Sequence, residues 1–380
     1  MYKNDQEDYT FDSVETIRFE SISVKDQVKE KEKHIEKLFD QKVSPMVMNP
    51  KPRGYRHKAV LSATNIKVGN SFQIRLGLFI EGSKDIKPRN GHYLHDAKID
   101  EVFKTIESLL IKYKFKAYQK RYQEGIIKHV MIRKSFDSGE LMVVFATQNN
   151  VFPNHRKFIN ELILAHPEVR TVVQNIHRKE THLVLLEEEK ILYGKGFITD
   201  AIDGFKFQIS SRSFYQVNPM QMFNIYDYAL KIAEIKPTDL VVDCYSGIGT
   251  LSILASKYAK TVYGLEINSS SVANAITNKK LNNISNVHFI QGDVEDTLEK
   301  LNEPIDILIM DPTRDGASLK FIEIVKKIKP KKIVYISCNP DTQIRDIKQI
   351  GFMYKLLNIQ PFDMFTYTSH VENVVLLELK

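Results

Sequence analysis

Five acidic or thiol side chains close apolar runs in the second half of the chain. Residues 239–250 read DLVVDCYSGIGT, and Asp243 ends the run Leu240, Val241 and Val242. Glu266 ends TVYGLE, Gly292 and Asp293 follow NVHFIQ, Asp311 follows IDILIM, and Cys338 follows KIVYIS. Ligands of open α/β sheets bind outside the carboxyl ends of the strands. Gly247 and Gly249 let the backbone come close to such a ligand. Glu266 stands where an acidic side chain grips ribose hydroxyls, about 20 residues past the glycine turn. The third glycine of a dinucleotide loop is missing, so a pyrophosphate is a poor fit. Asp243, Glu266 and Asp293 at one edge favour a cationic or hydroxyl-rich adenosine ligand. The alternative is that these acids are helix N-caps. S-adenosylmethionine, a sulfonium with a free ribose, fits the first reading. A cysteine at a strand end can be reactive, whereas a core cysteine lies in mid-strand. Position alone leaves both catalysis and burial open for Cys338.

The surrounding pattern must position these groups. After about residue 206, strands at 239–244, 261–265, 286–290, 305–310, 332–336 and 371–379 are expected. Helices at 219–234, 250–259, 269–282, 317–328 and 341–350 separate them. That alternation predicts a parallel sheet with helices on both faces. Before it, strands are expected at 59–66, 72–80, 126–133, 141–147, 170–176 and 182–187, with helices at 97–111 and 155–165. The charge-mixed stretch from Lys25 to Phe39 reads as a solvated helix. Pro45, Pro50 and Pro52 mark a boundary after it. The expected organisation is α/β: a partly helical extension over 1–50, a central α/β domain over 51–205, and a Rossmann-like domain over 206–380.

Hydrophobic residues make up 43% of the 380 and charged residues 27%, the balance of a soluble globular protein. No apolar run approaches the ~18–20 residues that span a bilayer. The opening MYKNDQEDYT lacks the apolar core of a signal peptide, so a cytoplasmic location is expected. The net charge of +7 is compatible with a polyanionic partner and does not prove one. Two cysteines, Cys244 and Cys338, cannot assemble a four-thiolate zinc or iron–sulfur site. His177, His182 and His288 lack metal-ligand spacing, and no metal is expected. In residues 112–134 basic side chains interleave with Tyr113, Phe115, Tyr118 and Tyr122. RNA contact by phosphate pairing and stacking is one reading, and an amphipathic element with an aromatic core face is the other. Lys51, Arg53, Arg56 and Lys58 form a further basic cluster.

Five segments occur in a fixed order: FYQVNPMQM (214–222), DCYSGIGT (243–250), DPTRDG (311–316), SCNPDTQIRD (337–346) and DMFTYTSHVENVVLL (363–377). Together they resemble the RNA uracil-C5-methyltransferase family, whose members act on 23S rRNA or tRNA. GYRHKAVL (54–61) extends the likeness into the central domain. The resemblance implies an S-adenosylmethionine methyltransferase domain preceded by a smaller RNA-binding domain, and 5-methyluridine as the product. It implies Cys338 as nucleophile, Glu372 as the base that removes the C5 proton, and Asp311 as the carboxylate that holds the uracil edge. Gln216, Tyr245, Glu266 and Asp293 match cofactor-contacting positions, as does Asp311; Gln216 also lies near the target base, and Phe214 beside the flipped base. The chain departs from the family in two ways. Thr313 replaces a usual proline, which loosens the turn after Asp311. The four cluster cysteines of many rRNA enzymes are missing, and residues 1–50 are too short and too helical for their N-terminal β-barrel, which is not expected there. The wording of the VNP and DMF motifs resembles the rRNA group of low-GC bacteria, so 23S rRNA is the expected substrate and tRNA the alternative. A monomer without membrane or metal partners is expected. A catalytically silent RNA-binding relative and a nicotinamide-dependent oxidoreductase are the rival readings. Intact Cys338 and Glu372 weigh against the first, and the missing glycine against the second.

Overall fold

A computed structural model describes residues 18–80, 82–89, 91–179, 181 and 183–380. The first 17 residues of the expected extension, and His182, lie outside them. The chain divides into two compact units. The larger contains Arg18–Pro52, Ala201–Gln208 and Ser213–Lys380; the smaller contains Arg53–Asp200 and Ile209–Arg212. Among the described residues no helix is long and apolar enough to cross a membrane.

Helix α1 (Val24–Phe39) begins where the Ser23 side chain accepts the Asp26 amide, and ends at Asp40 in the left-handed conformation. Its surface is charged, but Val28, Ile35 and Phe39 join the hydrophobic core of the larger unit. Each such side chain contributes roughly 1.5–3 kcal/mol on burial. That packing holds a short helix that would be marginal alone.

The smaller unit is built on seven strands: β1 (Lys58–Val68), β2 (Ser71–Phe79), β3 (Ile86–Pro88), β4 (Ile127–Lys134), β5 (Leu141–Thr147), β6 (Val169–Ile176) and β7 (Glu189–Gly194). Helix α2 (Ala97–Lys112) precedes β4, and α3 (His155–Ala165) links β5 to β6. The sheet order is β3-β2-β1-β4-β5-β6-β7. All neighbours are antiparallel except β5 and β6, which the α3 crossover makes parallel. The strand expected at 182–187 is displaced to β7. Its apolar residues form a loop instead, because the Asn175 side chain exchanges hydrogen bonds with the backbone of Leu186, at 2.7 and 2.8 Å. His177 bonds the Leu183 carbonyl at 2.7 Å, which makes it a structural histidine. In the basic stretch, Phe115 enters a core cluster with Phe152 and Phe158, whereas Tyr122 is exposed under Arg121.

Strands β8 (Phe197–Ile202) and β9 (Phe205–Ser210) form a ribbon. The larger unit then runs α4 (Pro219–Ala233), β10 (Leu240–Cys244), α5 (Thr250–Ala255), β11 (Thr261–Glu266), α6 (Ser269–Leu281), β12 (Val287–Gln291), α7 (Val294–Glu299), β13 (Ile307–Met310), α8 (Leu319–Ile328), β14 (Lys332–Ser337), α9 (Pro340–Ile350), β15 (Tyr354–Phe362) and β16 (Glu372–Leu379). β10 and β13 are buried along their whole length, as parallel strands covered on both faces must be. The order is β12-β11-β10-β13-β14-β16-β15. The expectation of an all-parallel sheet is corrected here. β10 to β14 are parallel, but β16 runs antiparallel to β14 and β15. β15 went unpredicted; it returns the chain so that β16 can start at the active edge.

Candidate active site

The parallel strands all end on one edge, and β16 begins there. In the register of the last pair Ser337 lies opposite Asn373. Cys338 follows the first and Glu372 precedes the second, so two distant segments bring a thiol and a carboxyl to neighbouring strand ends. Asn339 caps α9 by accepting the Asp341 amide, and Pro340 at the first turn starts the helix without wasting a donor.

On the other side of the sheet centre lies the glycine turn. Tyr245 has a φ of 67°, a left-handed conformation that costs a non-glycine residue about 1–3 kcal/mol. Gly249 has a φ of 82°, and a Cβ there would meet the Phe289 ring at 2.4 Å. The Glu266 carboxylate accepts the Gly247 amide at 3.0 Å and the Asn268 amide at 2.7 Å. It thus fixes the turn after β10 and the start of α6 from one buried point. Asp243 is buried and accepts the Ser252 hydroxyl. Burial pushes its carboxyl up to about 7. Asp293 is exposed and caps α7, accepting the Asp296 amide at 3.2 Å. Glu266, the glycine turn and the half-buried Tyr245 ring form an edge with the donors and acceptors a nucleoside cofactor requires.

Asp311, Cys338 and Glu372 make up an acidic group at the same edge. Burial, with the charge of Asp243 adding, pushes the Asp311 carboxyl up to about 7. Burial raises Glu372 far above the usual carboxylate range; Asp311 adds to this and Arg314 opposes it. The Cys338 thiol is pushed up by burial, then by the Glu372 and Asp311 charges, and is again opposed by Arg314. Arg314 thus favours the ionised forms of both Cys338 and Glu372. Its guanidinium contacts the His370 ring nitrogens at 2.8 and 3.1 Å. Its carbonyl accepts Asn339 at 3.0 Å and Thr342 at 3.1 Å, which ties the turn beyond Thr313 to the start of α9. Tyr226 is buried, with its phenol hydrogen-bonded by Gln216 and in the field of Asp311, Asp243 and Glu372. Phe214 is 57% exposed, a side chain with no share in the core. A cleft of about 410 Å³ opens over the thiol, lined among others by Arg18, Phe19, Lys31, Arg314, Cys338 and His370.

Of the residues named from the sequence, Cys338, Glu372, Asp311, Tyr245 and Glu266 stand at or next to strand ends along one sheet edge, and Gln216 precedes α4 beside Tyr226. Sequence reasoning passed over Arg314, His370 and Tyr226. The first two were visible inside the DPTRDG and HVE motifs, while Tyr226 lies in an ordinary amphipathic helix and left no signal.

This fold is that of an S-adenosylmethionine-dependent methyltransferase carrying an additional N-terminal sheet domain. A Pyrococcus abyssi tRNA (uracil-54, C5)-methyltransferase, solved with S-adenosyl-L-homocysteine, superposes with a TM-score of 0.79 at 24% identity, covering 94% of this chain and 84% of that one. Residues 138–380 match the family model for tRNA (uracil-5-)-methyltransferase, and the chain belongs to that family. It is an S-adenosylmethionine-dependent RNA (uracil-5-)-methyltransferase. An uncharacterized RNA methyltransferase of Oceanobacillus iheyensis is 36% identical over 346 residues, 89% of this chain and 74% of the relative. One from Enterococcus faecalis is 36% identical over 356 residues, 92% of this chain and 77% of its own length.

Proposed function

We propose that the enzyme forms 5-methyluridine in 23S rRNA with Cys338 as covalent nucleophile. The observation that carries the mechanism is the Ser337–Asn373 register, which sets the thiol of Cys338 and the carboxyl of Glu372 at adjacent strand ends. Carbon 5 of uracil is a poor nucleophile. Addition of the Cys338 sulfur to C6 turns the ring into an enolate that is nucleophilic at C5. S-adenosylmethionine supplies the methyl group on an electrophilic sulfonium. Glu372 then accepts the C5 proton, the C5–C6 double bond re-forms, and the S–C6 bond breaks to free Cys338. One difficult substitution is thereby split into easier steps.

The remaining residues bind and orient. Glu266 takes the ribose hydroxyls, with Tyr245, Asp293 and Gln216 around the adenosine. Asp311, partly protonated near neutrality, holds the uracil edge and lies close to the cofactor. Gln216, braced on Tyr226, reaches toward the base. The exposed Phe214 ring offers a stacking face to a uridine that leaves its helix, offsetting part of the few kcal/mol that unstacking costs.

Support for 23S rRNA comes from the wording of the VNP and DMF motifs, and tRNA is the alternative. The test is a map of 5-methyluridine in 23S rRNA and tRNA from a strain lacking the gene, complemented with wild type or Cys338→Ala. Loss of an rRNA site, restored by wild type alone, is expected. Loss confined to tRNA would move the substrate to tRNA, and rescue by Cys338→Ala would remove the nucleophile.

A further inference from the structure

The segment from Asp363 to His370 joins β15 to β16 and delivers Glu372 to the active edge. It is tied to three other parts of the larger unit. From α4, the Asn218 side chain donates to the Met364 carbonyl at 3.0 Å. From the segment after α1, the Asp363 amide donates to Val47, and the Asn49 amide group to the Thr366 hydroxyl at 3.1 Å. From α1 itself come two ties. The Gln27 side chain accepts the Tyr367 amide at 2.9 Å, and Lys31 Nζ donates to Asp363 Oδ1 at 2.6 Å and to the Phe365 carbonyl at 3.2 Å.

Lys31 stands out from its helix. Lys25, Lys29, Lys33 and Lys37 of α1 are exposed, as lysines on a solvated helix are expected to be. The side chains of Lys31 and Asp363 are 2% and 1% exposed. A buried ion pair is often no more stable than an apolar pair of the same volume, so stability alone is a weak reason for one. What the pair supplies is a fixed geometry at a point that also lines the cleft over Cys338.

We propose that Lys31 is a positioning residue of the methyltransferase: its bond to Asp363 latches α1 onto the 363–370 loop and so holds His370 and Glu372 in register with Cys338. This rests on the reading of Glu372 as the base. Lys31→Met alone would strand a buried carboxylate, so the informative variant is Lys31→Met with Asp363→Asn, which removes both charges together. It is expected to fold and to bind S-adenosylmethionine like wild type. Turnover should fall at least about tenfold, since misplacement by about 1 Å can cost 10²-fold. KM for RNA should change little, and the RNA–enzyme adduct should accumulate, because the step that needs Glu372 is slowed. Amide exchange of the 363–370 peptide should quicken. Gln27→Met, which cuts the other tie between the same helix and loop, should show the same signatures more weakly and serves if the double variant does not fold. Native exchange with turnover within twofold of wild type, in whichever variant folds, overturns the proposal. Cys338→Ala run in parallel separates the two claims. If it turns over normally, the catalytic reading fails, and the exchange rates alone then decide whether the latch exists.

Discussion

At the scale of single residues the active edge is a problem in charge. Cys338, Glu372 and Asp311 each hold their protons more tightly than free side chains do, because burial first and then neighbouring carboxylates, Asp243 in the case of Asp311, disfavour the ionised forms. Arg314 opposes this for both Cys338 and Glu372. Arg314→Gln should therefore lower kcat/KM by about 10²-fold and move the rising limb of its pH profile to the alkaline side by about one unit or more. A pH–rate series checks this, and an unshifted limb would deny Arg314 the role. Asp311 bears on stability. Its carboxyl titrates at about 7 in the folded chain against an ordinary 3.8, so the folded state keeps a proton the unfolded chain has released. The stability from that proton is full below about pH 4 and is lost as pH rises through 7. Asp311→Asn should flatten the pH dependence of denaturant melts over that window. It should stabilise the protein at pH 8 by about 1 kcal/mol or more, while turnover falls. Melts with an unchanged pH slope would contradict the raised Asp311 carboxyl.

Elements explain why much of this site was legible in the sequence and part of it was not. The buried strands β10, β13 and β14 announce themselves as unbroken apolar runs, and the residue after each run falls at the active edge. Cys338 and Asp311 could be placed by that reasoning alone. Glu372 could not, because a strand at 371–379 has no visible direction. Direction is set by β15, and β15 was hidden. Its sequence YKLLNIQPF breaks alternation, its pairing shifts register between Leu356 and Asn358, and Pro361 is tolerated because the strand lies at the sheet edge. Asp293 carries two readings in the sequence, a cofactor acid and a helix cap; its geometry displays the cap, and the cofactor contact stays a proposal. The glycine turn carries a prediction of its own. Gly249→Ala combines a left-handed φ with a Cβ 2.4 Å from Phe289. It should cost about 1–3 kcal/mol and weaken S-adenosylmethionine binding in calorimetry. Phe289→Leu should recover part of the loss by yielding space. A Gly249→Ala variant with native stability and affinity would show that the turn is not held as tightly as described.

A basic chain that holds a polyanion should lose affinity steeply with salt, by roughly tenfold or more between 50 and 200 mM for a few phosphate contacts. A filter-binding titration would show it, and salt-independent binding would argue against phosphate contacts. With Cys244 fully buried in the sheet and Cys338 at the active edge, purified protein is expected to carry no stoichiometric iron by metal analysis. The central claim is that Cys338 bonds the uracil ring and that Glu372 releases it. Glu372→Gln keeps the shape and removes the base, so addition and methyl transfer should proceed while elimination stalls. General-base losses of about 10²–10⁴-fold are large enough for the stalled species to accumulate. The direct measurement is a denaturing gel of Glu372→Gln incubated with labelled RNA and S-adenosylmethionine. A slow-migrating methylated band that disappears when Cys338 is also replaced is the predicted result. Free RNA methylated at the wild-type rate, with no such band, would contradict it.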